Sequence, residues 1–534
     1  MAGHRTGRSE EGTLLKKWTN RVPVCVVFPN TYYVGMSNLA VHLLYSVINR
    51  FEEVVCERAF YEEGEPVLSV ESGRELGSFE LLFFTLSFEM DYVNIPRILK
   101  AAGCGALAAE RGETSPLVIG GGMCVMANPE PVSPFFDLFI LGDVEATVPE
   151  FISRYLSVRE KKREDLVKAL TFHPWVYDPS RLAVEYGEDG RVSALLPAGF
   201  SVATERYKGK ELARSIVTTE DTEFSRMKLL EGARGCPSAC PFCLTGSLGP
   251  CTFDPLTDVG EAVSDVGIIG GGISFHPHLA EIVGRLKGQG VRVHLPSLRV
   301  DEVPLEVIEL IKDDVKTLTF GIEAGTEKLR SFIGKPLTNK EVFEKIEAVS
   351  TIKAFHLKLY FMIGLAGETR ADVEAIIDLA KHLMHLMIKA GSARGQVGSI
   401  TVHASPFVPK ASTPFQWLAM EERDPLKDKI ALLARGLKKA DNTYFTHESV
   451  KYSFLQAVFA RGDRRVSSTI LDLAEGTSLT RILRESPLNL PFYVNRERGK
   501  DELFPWDFMT ESGHKERLYR KLTASLAGIG SSLE

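Results

Sequence analysis

The residues best suited to chemistry stand in one short segment, Gly235-Cys236-Pro237-Ser238-Ala239-Cys240-Pro241-Phe242-Cys243, where three of the chain's eight cysteines are spaced C-x3-C-x2-C. Three thiolates can hold three irons of a cubane cluster, which leaves the fourth iron without a protein ligand and open to a small chelating molecule. Cys251 follows closely, and a set of four cysteines would instead make a structural zinc site. Structural zinc more often pairs two C-x2-C knuckles. The spacing therefore favours an iron-sulfur cluster on Cys236, Cys240 and Cys243, with Cys251 as a buried residue. Cys25, Cys56, Cys104 and Cys124 stand singly and read as packing residues. So sparse a cysteine content in a long chain argues against a secreted disulfide framework and for a reducing compartment, the cytoplasm.

These cysteines need a scaffold, and the chain alternates strand and helix patterns around them. A series beginning near Met227 has strand candidates at 227–231, 266–269, 291–295, 317–322, 357–363 and 399–404, with helical patterns such as 279–287 and 304–312 between them. Six βα units predict a partial barrel whose catalytic loops gather at the carboxyl ends of the strands. The cysteine loop follows the first of these strands. Upstream, apolar runs at 22–28, 81–84, 117–120 and 138–141 alternate with amphipathic stretches, the βαβ signature of a doubly wound parallel sheet. Its ligands are expected beyond the strand ends, where turn-rich pieces fall at 29–38, 87–91, 120–122 and 142–145.

The expected organisation is a disordered tail at 1–20, a doubly wound α/β domain at 21–158, a connector with a hairpin at 159–222, a partial (β/α)6 barrel at 223–440 and a helical carboxyl-terminal region at 441–534. Two or three domains suit 534 residues. With 44% apolar and 25% charged residues the composition is that of an ordinary globular chain. No apolar run approaches the roughly 18 residues of a membrane span, and the start lacks an apolar signal-peptide core. A formal net charge of −7 gives no general attraction to nucleic acid.

The loop closely resembles that of the radical S-adenosylmethionine (radical SAM) superfamily. The resemblance implies that SAM chelates the open iron through its amino and carboxylate groups and that one electron, from a donor such as flavodoxin or ferredoxin, breaks its sulfur to 5'-carbon bond. Phe242 matches the aromatic that packs by the adenine. The turn Gly270-Gly271-Gly272 stands where the family has Gly-Gly-Glu, with Ile273 in place of the Glu, so backbone carbonyls would serve there. Ser297, Arg299 and Glu323, at the next strand ends, are implied contacts to the SAM carboxylate and ribose. Arg299 and Glu323 could equally form a structural ion pair with each other. Gly364 to Thr369, and Pro406 to Lys410 with Thr413 to Phe415, resemble the branch that includes the methylthiotransferases and the Elongator catalytic subunit.

The order of motifs upstream resembles the cobalamin-binding domain that precedes the barrel in one class of these enzymes. Gly35, Ser37 and Asn38, then Ser87, then Gly120, Gly121 and Gly122, and finally Glu145 are the implied corrinoid contacts. No Asp-x-His-x-x-Gly occurs, so no histidine is expected on cobalt, and His42 reads as a packing residue. Arg461 to Arg465 and Leu503 to Asp507 resemble segments that follow the barrel in such proteins; the basic group, if functional, would hold an anionic substrate group. The expectation is a cobalamin-dependent radical SAM methyltransferase acting on an unactivated carbon of an unidentified substrate. The alternatives are a cobalamin-independent radical SAM enzyme modifying tRNA or protein, and a non-enzymatic metal-stabilised adaptor or iron-sulfur sensor.

Overall fold

The structure is a computed structural model and describes residues 9–257, 259, 263–392, 394–509 and 513–530. Parts of three expected regions lie outside the described residues: 1–8 of the tail, 258, 260–262 and 393 of the barrel, and 510–512 and 531–534 of the carboxyl-terminal region.

The amino-terminal sheet has six strands: β1 (Val22–Phe28), β2 (Val54–Phe60), β3 (Leu81–Thr85), β4 (Leu117–Gly121), β5 (Leu138–Ile140) and β6 (Val176–Tyr177). Their order is β2-β1-β3-β4-β5-β6, parallel throughout except for the last pair. All seven residues of β1 are buried, as expected of a parallel strand covered on both faces. Val24, Val26 and Phe28 face a core with helices Leu39–Ile48 and Val144–Val158, while Cys25 and Val27 face the opposite core. The order turns back at β1 and β3, so the loops after these strands meet at the carboxyl edge. Two expectations are corrected here. Strand β2 was not foreseen, and the edge strand β6 carries the sheet past residue 158 into the connector, whose hairpin (Ala183–Tyr186 with Val192–Leu196) does form.

The barrel contains the six expected strands, β7 (Lys228–Glu231), β8 (Asp265–Ile269), β9 (Arg292–His294), β10 (Thr317–Glu323), β11 (His356–Ile363) and β12 (Ser399–Pro406). A seventh, β13 (Thr443–His447), pairs in parallel with β12 inside the region expected to be helical. The strands form sheets β7-β8-β9 and β10-β11-β12-β13, joined by a parallel bridge between Leu298 and Phe320. Among the described residues five α-helices follow from Val450 onward, and the last of them, His514–Ala527, packs Leu518, Leu522 and Leu526 against Phe415 and Trp417 after β12.

The expected tail is not disordered over its described part. Residues Glu10–Glu11 pair with Thr218–Thr219. Glu10 joins Arg58 at 2.7 Å, and Trp18 donates to Glu57 at 2.6 Å. Buried charges on β2 need these partners, which is why a polar stretch is held down.

The basic segment at 461–465 is also internal rather than a substrate site. Arg461 is fully buried and donates to the carbonyls of Gln416, Leu418, Tyr493 and Val494. Arg464 meets the buried Glu130 at 2.8 Å, and Arg465 meets Asp463 at 2.6 Å. In the Leu503 to Asp507 segment, Trp506 is buried and donates to Gln416 at 2.9 Å.

Candidate functional site

The cysteine loop leaves β7 through Arg234 and is closed in by bare backbone. A Cβ on Gly272 would sit 3.0 Å from the Gly235 oxygen and 3.2 Å from Cys236 Cα, and one on Gly334 would sit 2.7 Å from Pro241 Cδ. Within the loop Ala239 takes a positive φ of 45°, an uncommon conformation for a residue with a side chain. The Gly270-Gly271-Gly272 turn therefore does lie against the loop. Gly270, at φ 143°, is packed on the Ala233 backbone, and Gly271 faces Thr245.

All three cysteines are free thiols, Cys240 buried and Cys236 and Cys243 half-buried. Burial pushes the Cys240 thiol up, opposed by a hydrogen bond with Ser238 and by the charges of Lys335 and Arg299. Two cations beside a thiol favour the thiolate that an iron takes. Among the described residues no three His, Cys, Asp or Glu side chains converge on a single-ion position. A cubane asks for one thiolate at each of three separate irons, and three free thiols on one enclosed loop are that donor set. Burial and Cys236 push the Cys251 thiol up to about 11.

Arg299 and Glu323 flank the loop but do not pair with each other, so that alternative is corrected. Arg299 holds Asp301 at 2.6 Å and donates to Ser238, inside the cysteine loop, at 2.8 Å. Glu323 ends β10 at a bulge with φ 72° and takes Lys335 at 2.6 Å. Such strain in a residue with a side chain marks a position held by its surroundings. Ser297 is exposed, and Phe242 is half-buried against the cluster of Phe332 and Phe415. Arg234, Ser238, Asp301 and Lys335 were missed in the sequence; only the nearness of Arg234 and Ser238 to the cysteines signalled them.

A cavity of about 550 Å³ lies between the two sheets, within the range usual for cofactor sites. Ser37, Asn38, Ser87, Gly120, Gly121, Gly122 and Glu145 line it from the amino-terminal sheet, and Gly235, Gly270 and Gly271 from the barrel. Asn38 caps helix Leu39–Ile48 and donates to Ser87 at 3.0 Å. Ser37 donates to the Tyr33 carbonyl at 2.7 Å.

The glycines divide by what surrounds them. At Gly121 an added Cβ would meet only the Ile140 oxygen, at 3.5 Å, so this glycine presents open backbone to the cavity. Gly120 is required instead by the Phe139 ring at 2.6 Å, Gly122 by the Leu86 backbone at 2.6 Å and a φ of 110°, and Gly35, off the cavity, by Phe60 and Phe28. A side chain at any of these three would meet protein, while Gly120 and Gly122 also line the cavity and Gly35 does not. Glu145 is likewise engaged, by Arg234 at 2.8 Å. His42 is buried outside the cavity lining, with Nε2 3.0 Å from the Met36 carbonyl, and burial lowers its pKa to about 4. A neutral imidazole donating to that carbonyl is a packing residue.

Both halves of the chain resemble known proteins. Residues 40–179 match the family described as "Radical SAM proteins, N-terminal", and residues 230–380 the "Radical SAM superfamily". An uncharacterized protein of Methanocaldococcus jannaschii is 26% identical over 89% of this chain and 97% of its own length. An uncharacterized methyltransferase of Pyrococcus horikoshii is 25% identical over 55% of this chain and 65% of its own. Among solved structures, the cobalamin-dependent S-adenosylmethionine radical enzyme OxsB with aqua-cobalamin and SAM bound superposes with a TM-score of 0.46 at 12% identity, covering 95% of this chain and 79% of that one. With radical SAM amino-terminal and core domains both matched in order, and the three-cysteine loop seated after the first barrel strand, the chain belongs to the radical SAM superfamily.

Proposed function

We propose that the chain is a cobalamin-dependent radical SAM methyltransferase acting on an unactivated carbon. The single observation behind this is that one cavity is walled both by the loops at the carboxyl ends of the amino-terminal strands and by the Gly270-Gly271 turn beside the cysteine loop. A cofactor filling it touches both halves. The name of the Pyrococcus horikoshii relative, a methyltransferase, points the same way.

Cys236, Cys240 and Cys243 hold three irons, and Gly270 to Gly272, Ser297, Arg299 and Glu323 orient SAM at the fourth. When bound, cluster and SAM supply a 5'-deoxyadenosyl radical and methylcobalamin supplies the methyl group. Asn38, Ser87 and the open backbone at Gly121 bear on the corrinoid, with no histidine on cobalt. Apolar side chains such as Leu39, Val144 and Ile269 on the cavity wall exclude water from it. The electron comes from a flavodoxin or ferredoxin.

Anaerobic purification and reconstitution with excess cobalamin, followed by metal analysis and a SAM-cleavage assay, tests the reading. About four irons and one cobalt per chain with SAM cleavage is the expected result. Iron and SAM cleavage without cobalt would give the cobalamin-independent enzyme instead; zinc, or a cluster inert to SAM, would remove the enzyme reading.

A further inference from the structure

The sheet β10-β11-β12-β13 turns alternate residues to two different places. Leu318, Phe320, Leu357, Leu359, Ile400 and Val402 are buried in the core shared with helices Asn339–Ile352 and Arg370–Ser392. The residues between them face the barrel interior, and there the row is half-buried and polar, with Thr319, Lys358, Tyr360, Thr401 and His403 at its centre. In register, Thr319, Lys358 and Thr401 lie side by side, with Tyr360 beside His403 one layer nearer the carboxyl ends of the strands.

Most of these side chains answer one another. His356 meets Ser399 at 2.6 Å and Thr401 at 3.1 Å. His403 meets Thr446 at 2.8 Å and Glu448 at 3.4 Å. Glu323 is taken by Lys335. Beyond the Thr319 hydroxyl, that leaves the Lys358 ammonium, which lies 5.0 Å from the Tyr360 ring centroid, and the Tyr360 hydroxyl. Among the described residues neither has a hydrogen-bond or ion-pair partner. The Lys358 charge is felt by both histidines: burial and then Lys358 lower His356, while burial lowers His403 against Glu448, with Lys358 adding to the fall. A half-buried cation with no carboxylate of its own sets up a field that attracts an anion.

We propose that Lys358 and Tyr360 form a subsite inside the barrel for an oxyanion of the substrate, a phosphate ester or a carboxylate, an assignment that rests on the radical SAM reading above for what is bound there. The ammonium and the phenol donate to the oxyanion together, a charge-assisted pair on one strand. Met362, the next interior residue of β11, packs in the same cluster as Phe242 beside Cys243. At about 3.3 Å per residue, Tyr360 lies roughly 7 Å along the strand from that level. The substrate's anionic group would thus be held inside the barrel, three residues short of the carboxyl end of β11, rather than among the loops.

The test uses full-length reconstituted holoenzyme under anaerobic conditions and a limiting amine-acylating reagent. Inorganic phosphate, acetate and chloride are compared at equal ionic strength, and acylation of each lysine is read by peptide mass spectrometry. Phosphate or acetate should slow acylation of Lys358 by about fivefold relative to chloride, the size of one good hydrogen bond, without protecting the exposed Lys340. The better protector identifies the source of the oxyanion. Tyr360→Phe, which removes one hydroxyl and keeps the ring, should lose about half of the protection or more. Equal acylation in all three anions, equal protection of Lys340, or full protection in Tyr360→Phe would overturn the subsite. No turnover is involved, so this result and the test of the methyltransferase reading can fail separately.

Discussion

Arg234 Nη2 lies 2.8 Å from Glu145 Oε1 and 2.6 Å from Glu231 Oε2, so a carboxylate of the amino-terminal domain grips the residue two places before the first cysteine of the loop. Burial alone would lower the Arg234 pKa, but the hydrogen bonds of Glu231 and Glu145 outweigh it and hold the guanidinium charged. The two halves of the cavity are therefore tied electrostatically at the mouth of the cysteine loop. A double-mutant cycle with Glu145→Gln and Arg234→Met should give a coupling of about 0.5–3 kcal/mol in denaturant unfolding. Glu145→Gln should also bleach the cluster faster in air. Additive effects and an unchanged bleaching rate would reduce the contact to surface decoration.

Replacing Cys236, Cys240 and Cys243 together by Ala should remove the brown chromophore and all reductive SAM cleavage. Cys251→Ala should keep both, because Cys251 stands outside the C-x3-C-x2-C loop that supplies three thiolates. Iron content and visible absorbance after anaerobic reconstitution decide it. Loss of the cluster in Cys251→Ala as complete as in the triple variant would end the open-iron assignment.

The cysteine loop was legible because its chemistry is local: three thiols at fixed spacing, and glycines at strand ends. What the sequence hid are the partners. Strand β2 carries Glu57 and Arg58 at its centre, which breaks the apolar run that marks a buried strand. Both are buried, and the partners that permit this, Glu10, Trp18 and Glu71, come from elsewhere in the chain. Strand β13 is half exposed and mixed in polarity, so no alternation announced it. At Gly120 and Gly122 the sequence showed that bare backbone was needed but not that an aromatic ring and a neighbouring backbone crowd the two positions.

Arg299 reaches into the cysteine loop through Ser238 while Asp301 holds it from behind. Arg299→Lys keeps the charge but loses the planar fork that serves both partners. SAM binding to the reconstituted enzyme should weaken by about tenfold, or 1.4 kcal/mol, with a smaller effect on melting temperature. Unchanged SAM affinity in a destabilised protein would make Arg299 a purely structural residue.

His42 gives a pH signature. Burial lowers its pKa from 6.5 to about 4, so below pH 6.5 the unfolded chain takes up a proton that the folded chain refuses. Its contribution is whole above that pH and falls as pH drops toward 4, by about 3 kcal/mol in all. His42→Gln should flatten the fall in melting temperature between pH 6.5 and 4 relative to the parent. Parallel pH profiles for parent and variant would contradict the buried neutral imidazole.

The last prediction separates cofactor contact from packing among three adjacent glycines. Gly121 has room for a side chain, its Cβ meeting nothing closer than the Ile140 oxygen at 3.5 Å, and it faces the cavity. Gly121→Val should fold and assemble the iron-sulfur cluster yet fail to retain cobalamin through gel filtration, since the isopropyl group occupies the space where a corrinoid would lie. Gly120→Val and Gly122→Val should instead lose stability outright, by about 3 kcal/mol or more, because each drives a branched side chain into a ring or a backbone that cannot retreat. His42→Gln should hold cobalamin as tightly as the parent, and the cob(II)alamin form should show no strong axial nitrogen coupling from the protein in electron paramagnetic resonance. A Gly121→Val protein that keeps stoichiometric corrinoid would move the cofactor off this face of the sheet, and a parent that never retains any would leave the amino-terminal domain as a scaffold and take the methyltransferase reading with it.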